Sequence, residues 1–122
     1  MKTRLSVLLA MALGLAILSG CSRPKAQDPA FARKVIDAVY AGSLRPLRDS
    51  MIPEMQAMTD AMIAPQGKAL NEKFGAVKNL ELKSADVVQG YDQEIWTVTA
   101  ERGSYDMRLV FLKDRKLAGL WF

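Results

Sequence analysis

The chain contains no histidine and only one cysteine among its 122 residues. Without histidine there can be no Ser-His-Asp or Cys-His catalysis, no histidine-ligated zinc and no imidazole pH switch. One cysteine cannot form an intramolecular disulfide or a thiolate metal cluster. The sequence therefore predicts neither a metal ion nor any other cofactor. Half of the residues are hydrophobic, which favours a folded domain over a disordered chain.

The first twenty residues have the pattern of a secretory signal peptide. Lys2 and Arg4 form a short basic start, and residues 5–18 are apolar apart from Ser6 and Gly14. This run of about 14 residues is shorter than the roughly 20 that a membrane-spanning helix needs. A basic start, a short apolar run and a small-residue end together indicate a signal peptide over residues 1–20.

The signal peptide ends in Leu18-Ser19-Gly20-Cys21, which places the single cysteine directly after small residues. This tetrapeptide resembles the lipobox of bacterial lipoproteins. The resemblance implies cleavage between Gly20 and Cys21 and acyl chains on the Cys21 thiol, which would anchor the protein in a lipid bilayer. Ser22 stands where many inner-membrane lipoproteins carry aspartate, so the resemblance favours the outer membrane, facing the periplasm. The alternative use of Cys21 is a free buried thiol.

Cleavage would change the charge and define the remaining organisation. Loss of Lys2 and Arg4 leaves 15 basic against 13 acidic residues, a net charge of +2 in place of +4. A nearly neutral chain with interspersed charges does not predict nucleic-acid binding. Residues 21–28 would form the lipidated cysteine and a short tether, and residues 29–122 a single domain.

The first predicted helix has clear signals at both ends. Asp28 can cap it, Pro29 suits its first position, and it ends near Ala41 because Gly42 follows. At about 100° per residue, five apolar residues share one side of this helix: Phe31, Ala32, Val35, Ala38 and Val39. Arg33 and Asp37 form an ion pair on the opposite side.

Further helices are predicted before the chain changes to strands. After a helical turn over residues 44–47, Ser50 can cap a second helix from Met51 to Ile63, with Pro53 in its first turn. Pro65 can open a third helix that ends at Phe74, before a glycine.

The second half of the domain has the alternating pattern of β-strands. Short connections between the runs require antiparallel pairing, so the sequence predicts an α+β domain with N-terminal helices on one face of a meander sheet of about four strands. A turn is expected at Gly90-Tyr91-Asp92. Four residues of the third strand are expected to share one face: Tyr105, Met107, Leu109 and Phe111. The expected strands cover residues 77–89 (as one or two strands), 94–102, 105–112 and 116–122.

This order of elements resembles the nuclear transport factor 2-like, or cystatin-like, architecture, in which helices fold into a cone against a curved antiparallel sheet. More narrowly, it is similar to small bacterial domains of unknown function. The resemblance rests on a helical opening (Phe31 to Leu47) that ends in Gly-x-x-x-x-Leu (Gly42 to Leu47). It also rests on a helix ending in Phe74-Gly75 and a final strand of the type Lys116 to Leu120. It covers residues 29–122 and implies a cystatin-like cone.

Four methionines recur at offsets of 4, 3 and 4 in the predicted second helix, within an arc of about 60°: Met51, Met55, Met58 and Met62. Methionine fills irregular core gaps and adaptable binding surfaces, and its thioether can bind Cu(I). This face is therefore either core, the lining of a cavity for an apolar ligand, a copper site or a groove for a partner. A copper site has no histidine or second ligand type to complete it.

An enzyme of this fold could use a carboxylate and a phenol for acid–base chemistry, as ketosteroid isomerases of the resembled superfamily do. The side chains available for this chemistry are Asp37, Tyr40, Tyr91, Tyr105 and Asp106. Asp37 and Tyr40 fall on the polar side of the first helix, and Asp106 alternates away from Tyr105. The sequence therefore predicts no convergent acid–base pair.

The last strand is apolar on both sides. Leu117 and Trp121 are expected on one side, with Ala118, Leu120 and Phe122 on the other. Such a strand is covered on both faces within a monomer, or it is a sheet edge that pairs with a second copy in a homodimer.

These observations favour a membrane-anchored envelope lipoprotein that acts as a non-catalytic binding or accessory module. Its expected partners are the bilayer, through Cys21, and an apolar small ligand or another envelope protein. The alternative function is a cone-pocket enzyme that uses carboxylate and tyrosine side chains.

Replacing Cys21 with serine tests the anchor directly. We expect Cys21→Ser to remove the acyl mass from the mature protein and to move it from the membrane to the soluble fraction, because the attachment atom is lost. Intact-mass spectrometry and fractionation measure both effects, and Ser22→Ala is the matched control. A Cys21→Ser protein that stays in the membrane fraction, beside a wild type without added acyl mass, would contradict the lipoprotein interpretation.

Overall fold

The computed structural model of the protein describes residues 28–122 and shows helices followed by a four-stranded sheet. Its strands pair in chain order and antiparallel, so the predicted α+β class and meander are confirmed. The predicted signal peptide and the predicted cleavage site between Gly20 and Cys21 lie outside the described residues. Across residues 28–122, no helix is both long and apolar enough to span a bilayer.

The elements are α1 (Pro29–Ala41), a 3-10 helix (Arg45–Ser50), α2 (Pro53–Gln56), α3 (Asp60–Phe74), β1 (Val77–Val88), β2 (Tyr91–Ala100), β3 (Gly103–Phe111) and β4 (Leu117–Trp121).

Helix α1 begins and ends where the sequence predicts. The Asp28 carboxylate accepts the backbone N–H groups of Ala30 and Phe31, at 3.0 and 3.3 Å. Gly42 ends the helix in the left-handed conformation, with φ of 84°. The Arg33–Asp37 ion pair forms at 3.1 Å on the exposed side. The buried side consists of Ala32, Val35, Ile36, Ala38 and Val39, with Phe31 partly buried beside them.

The predicted helix from Met51 to Ile63 is wrong. Met51 is extended and bridges to β4 in parallel, and the N–H of Ile52 donates to the Leu117 carbonyl at 3.0 Å. Ser50 ends the 3-10 helix and caps nothing. Only α2 remains helical before the chain extends again at Thr59. Pairing with β4 therefore overrides a local pattern that favours a helix.

Helix α3 starts before Pro65, so the predicted third helix is its C-terminal part. Pro65 lacks the N–H that would bond to the Ala61 carbonyl. Both residues are exposed, which leaves that carbonyl open to water. The helix ends at Phe74, as predicted, and Gly75 follows with φ of 82°.

Helices α1 and α3 approach closely at Gly67, a buried glycine in the middle of α3. A Cβ atom at this position would lie 1.9 Å from the carbonyl oxygen of Val39 and 2.8 Å from its carbonyl carbon. The absence of a side chain therefore lets the backbones of the two helices touch. It also fixes how α3 lies across α1, whose other side covers the sheet.

The inner face of the sheet carries the core, and its alternation follows the prediction. Tyr105, Met107, Leu109 and Phe111 share this face of β3. The β1–β2 turn is at Gln89-Gly90 instead of residues 90–92. Both turn residues have positive φ (53° and 84°), which suits a two-residue hairpin. On β2 the inner residues are Asp92, Glu94, Trp96, Val98 and Ala100, all buried.

An irregularity in β4 moves Trp121 to the face opposite the predicted one. Leu117 pairs with Phe111, but Gly119 pairs with Val110, so Ala118 is an extra residue. Leu117 consequently points inward, whereas Trp121 pairs with Arg108 on the outer face. The prediction that Leu117 and Trp121 share a side is therefore wrong, because a bulge inverts the alternation.

The contact at Gly67 predicts a strong effect of one added methyl group. Helix propensity alone would make Gly67→Ala stabilising by about 1 kcal/mol. The clash with the rigid Val39 backbone forces the helices apart at a cost of about 3 kcal/mol. We therefore expect a net loss of about 2 kcal/mol in the free energy of unfolding, measured by urea denaturation. The exposed neighbour provides the control Gln66→Ala, which should change little, and a Gly67→Ala protein as stable as wild type would refute the close contact.

Candidate functional site

The four methionines do not share a helix face. Met51 and Met55 are buried in the core, on the bridge to β4 and on α2 respectively. Met58 lies between α2 and α3 and is partly buried, and Met62 is 55% exposed on α3. The prediction that the four methionines share a face is wrong, because the helix that would bring them together does not form. A ligand-facing role for these residues stays a prediction without this geometric support.

Trp121 lies in an open cleft on the outer face of the sheet. The cleft has a volume of about 420 Å³ and its indole is 53% exposed. The other lining residues are Ile95, Asp106, Arg108 and Phe122. Aromatic, apolar and charged side chains of both signs therefore meet at one place on a face that carries no helix.

The indole of Trp121 is held by the backbone beneath it. A Cβ atom at Gly119 would lie 2.3 and 2.4 Å from two ring carbons of Trp121, so the ring rests on the glycine. Beside it, Asp106 is paired with Lys83 across β2 at 2.8 Å. Arg108, next to Trp121, makes no salt bridge with the described residues. The ring is thus presented in a fixed position next to a guanidinium.

A second candidate site is a buried charge cluster at one end of the sheet. Glu94 is 1% exposed, and its two oxygens accept from Arg115 Nη2 at 2.8 Å and from Trp96 Nε1 at 3.0 Å. Arg115 Nη1 lies 3.6 Å from the Asp92 carboxylate. The guanidinium also stacks on the Phe111 ring, 4.0 Å from its centroid. Each Glu94 oxygen already accepts a hydrogen bond, so this carboxylate serves as the ion-pair partner of Arg115 and is poorly placed to take a proton from a substrate.

Sequence reasoning did not identify this cluster, although a signal for it existed. Asp92 and Glu94 alternate in phase with Trp96 and Val98, so they were already in the positions that face the core. A carboxylate in such a position requires a buried partner. Arg115 supplies it from a turn, with φ of 68°. A cleft of about 310 Å³ adjoins the cluster and is lined by Asp28, Phe31, Ser50, Phe111 and Arg115.

The two tyrosines Tyr40 and Tyr105 form a third cluster, at the other end of the sheet. Their hydroxyl oxygens are 2.8 Å apart, and the Tyr40 hydroxyl donates to the Gly75 carbonyl at 2.9 Å. Because that carbonyl can only accept, the Tyr105 hydroxyl is the donor to Tyr40. Burial, and then the hydrogen bond to Tyr40, raise the pKa of Tyr105 above its usual value. The raised pKa favours the protonated phenol, in agreement with its role as donor to Tyr40.

The structure does not bring the predicted carboxylates and phenols together. Asp37 and Asp106 are exposed in ion pairs with Arg33 and Lys83. Tyr91 is exposed in the β1–β2 hairpin. Tyr40 is partly buried and bonded to Tyr105, not on a purely polar side as predicted. Along the sheet, the tyrosine pair and the Glu94 cluster are separated by about four to six residues, or roughly 13–20 Å.

Comparisons with known proteins give no further assignment. No family model matches the chain, and no curated protein and no solved structure matches it. Across residues 28–122, no three side chains of the Asp, Glu, His or Cys type are placed to hold a metal ion.

The buried cluster predicts a large cost for removing Arg115. Arg115→Met leaves Glu94 and Asp92 without their guanidinium in a desolvated site, and we expect a loss of about 3 kcal/mol in the free energy of unfolding. Adding Glu94→Gln should recover part of that loss, since the amide carries no charge. Chemical denaturation measures both variants, with the exposed Arg108→Met as control. Equal effects at Arg115 and Arg108 would show that the cluster does not stabilise the fold.

Proposed function

We propose that this protein is an envelope lipoprotein, anchored through acyl chains on Cys21 to the periplasmic face of the outer membrane. The lipobox Leu18-Ser19-Gly20-Cys21 and Ser22 support this proposal. Residues 29–122 act as its single non-catalytic binding module, and another envelope protein is the partner. The outer sheet face around Trp121 is the contact surface.

The observation that carries this function is the exposed, backbone-supported indole of Trp121. Tryptophan, tyrosine and arginine are the residue types most enriched among those that dominate binding energy at protein interfaces. Tryptophan buries a large area with little loss of side-chain freedom, and arginine donates several hydrogen bonds. Trp121 rests on Gly119 and adjoins Arg108. The ring is therefore already ordered before binding, which lowers the entropic cost of association.

Two features favour a protein partner over an apolar small ligand. The methionines that would have lined a ligand cavity are divided between core, linker and surface. The Trp121 cleft is open to solvent and has Asp106 and Arg108 in its lining, a composition suited to the polar rim of a protein interface.

We also propose that the domain is a cystatin-like cone. Helix α1 lies on the inner face of the sheet and α3 lies on α1, so the helices cover one face only. Two irregularities in β1, before Asn79 and before Ser84, are places where an antiparallel sheet bends. These features support the curved sheet that the architecture requires.

The proposed contact predicts the effect of truncating Trp121. We expect Trp121→Ala to weaken partner binding by about thirtyfold, the effect of a 2 kcal/mol interface residue. Native mass spectrometry of the membrane-extracted protein would show the partner on wild type and its loss from the variant. Met62→Ala is the control, since it removes an equally exposed apolar side chain from the helical side. A small apolar molecule retained by both variants, with no protein, would overturn the protein-partner proposal.

A further inference from the structure

The β1–β2 hairpin ends in an exposed apolar tip. Val87, Val88 and Tyr91 are 44, 43 and 43% exposed, and they flank the two-residue turn at Gln89-Gly90. The turn itself carries Gln89 and Gly90, and the three apolar side chains belong to the strand residues beside it. Three large apolar or aromatic side chains at such a position indicate a surface that is covered in the working protein.

The tip lies at the end of the domain where the chain enters from its N-terminal segment. Asp28, the first described residue, lines the same cleft as Phe111 and Arg115. Phe111 pairs with Asp92, which immediately follows Tyr91, and Arg115 lies 3.6 Å from the Asp92 carboxylate. The start of the domain and the hairpin tip are therefore on the same side of the molecule.

The length of chain before Asp28 limits how far this end can lie from the proposed anchor. Seven residue steps separate Cys21 from Asp28, and a fully extended chain of that length spans at most about 25 Å. The interfacial layer adds several ångströms above the hydrocarbon core. A lipid-anchored Cys21 thus keeps the end of the domain that carries the tip close to the bilayer.

We propose that the hairpin tip of Val87, Val88 and Tyr91 is a second membrane contact, which inserts into the interfacial layer of the bilayer that holds Cys21. This inference rests on the proposed lipid anchor. Tyrosine is enriched at this depth of a membrane because its ring is apolar and its hydroxyl can remain hydrated. With the anchor and the tip both engaged, the domain has a fixed orientation in which the Tyr40–Tyr105 end points away from the bilayer.

The charges around the tip identify the type of contact. Residues 86–92 contain two aspartates, Asp86 and Asp92, and no lysine or arginine. An electrostatic attraction to anionic lipids would require basic residues here. The contact of the tip itself is therefore apolar, and quenching at position 88 should not require anionic lipid. The β3–β4 turn at the same end of the sheet carries Lys113 and Lys116, which would add an attraction to anionic membranes that salt weakens.

A fluorescent probe at the tip tests the proposal in the full acylated chain. Acylation blocks the Cys21 thiol, so Val88→Cys can be labelled alone with an environment-sensitive dye. The matched control is Ser104→Cys, which is exposed next to the β2–β3 turn at the opposite end of the sheet. In phosphatidylcholine vesicles, with and without phosphatidylglycerol, we expect a blue shift at position 88 and at least twofold quenching by lipids brominated high in the acyl chain. Position 104 should show neither effect.

The outcomes separate the failure of this proposal from the failure of the anchor. Vesicle flotation reports the anchor: if the labelled protein does not float, the lipid anchor is wrong and the tip contact fails with it. If the protein floats but position 88 is not quenched, the anchor stands and the tip contact is wrong. Equal quenching at positions 88 and 104 also overturns the proposed orientation. A blue shift seen in native membranes but absent from pure lipid vesicles would assign the tip to a protein partner instead.

Adding charge to the tip provides a second test, because a charged tip should not enter the bilayer. Val87→Asp combined with Tyr91→Asp should abolish the quenching of the dye at position 88 while the protein still floats. Val87 pairs across the hairpin with the buried Asp92, so the added carboxylate should lower the urea midpoint, and a native circular dichroism spectrum shows that the variant is folded in the vesicle assay. Persistent quenching in this variant would overturn the proposal.

Discussion

The ion pairs of the partly buried Arg115 guanidinium are the interactions on which one end of the molecule depends. The guanidinium neutralises Glu94, lies beside Asp92 and stacks on Phe111. Phe111 in turn contacts Phe31 of α1, with ring centroids 5.8 Å apart. The same side chain thus makes two carboxylates tolerable on the core face of β2 and ties the turn before β4 to the first helix. A sheet with buried acids and no such cation would have to open to water at this end.

At the opposite end, neutral polar groups connect the same layers. The Tyr105 hydroxyl on β3 donates to Tyr40 on α1, and Tyr40 donates to the Gly75 carbonyl after α3. Phe74 adds a ring contact to Tyr105, with centroids 4.7 Å apart. The helices are therefore held to the sheet by the Phe31–Phe111 ring contact at one end, by the tyrosine hydrogen bonds at the other, and by the apolar core between them. The outer face remains open, and that is where Trp121 lies.

Local signals predicted the parts of the fold that local physics decides. Asp28, Pro29 and Gly42 set α1 because capping needs only neighbouring residues, and alternation placed the core of β3 correctly. The helix over residues 51–63 failed because the backbone of Met51 and Ile52 pairs with Leu117, more than sixty positions away in the chain. No local pattern contains that pairing.

The same limit applied to the candidate sites. A single inserted residue, Ala118, moved Trp121 to the outer face, and the strand pattern alone could not show it. The partner of Glu94 could not be found either, because Arg115 reaches it from a turn twenty-one residues later. Yet the phase of Asp92 and Glu94 with Trp96 was visible in the sequence. A charged residue that alternates in phase with the buried residues of a strand is therefore an indication of a buried charge pair.

The chain-order pairing of the four strands has a consequence for biogenesis. Each strand finds its partner in the next one along the chain, so the sheet can assemble as successive hairpins with short loop closures. The described domain also contains no cysteine, so its folding requires no oxidation step. The contact of Met51 and Ile52 with β4 closes a loop of about 65 residues and can form only after the last strand is in place. During synthesis, the segment around Met51 and Ile52 would therefore lack its strand partner until β4 has been made.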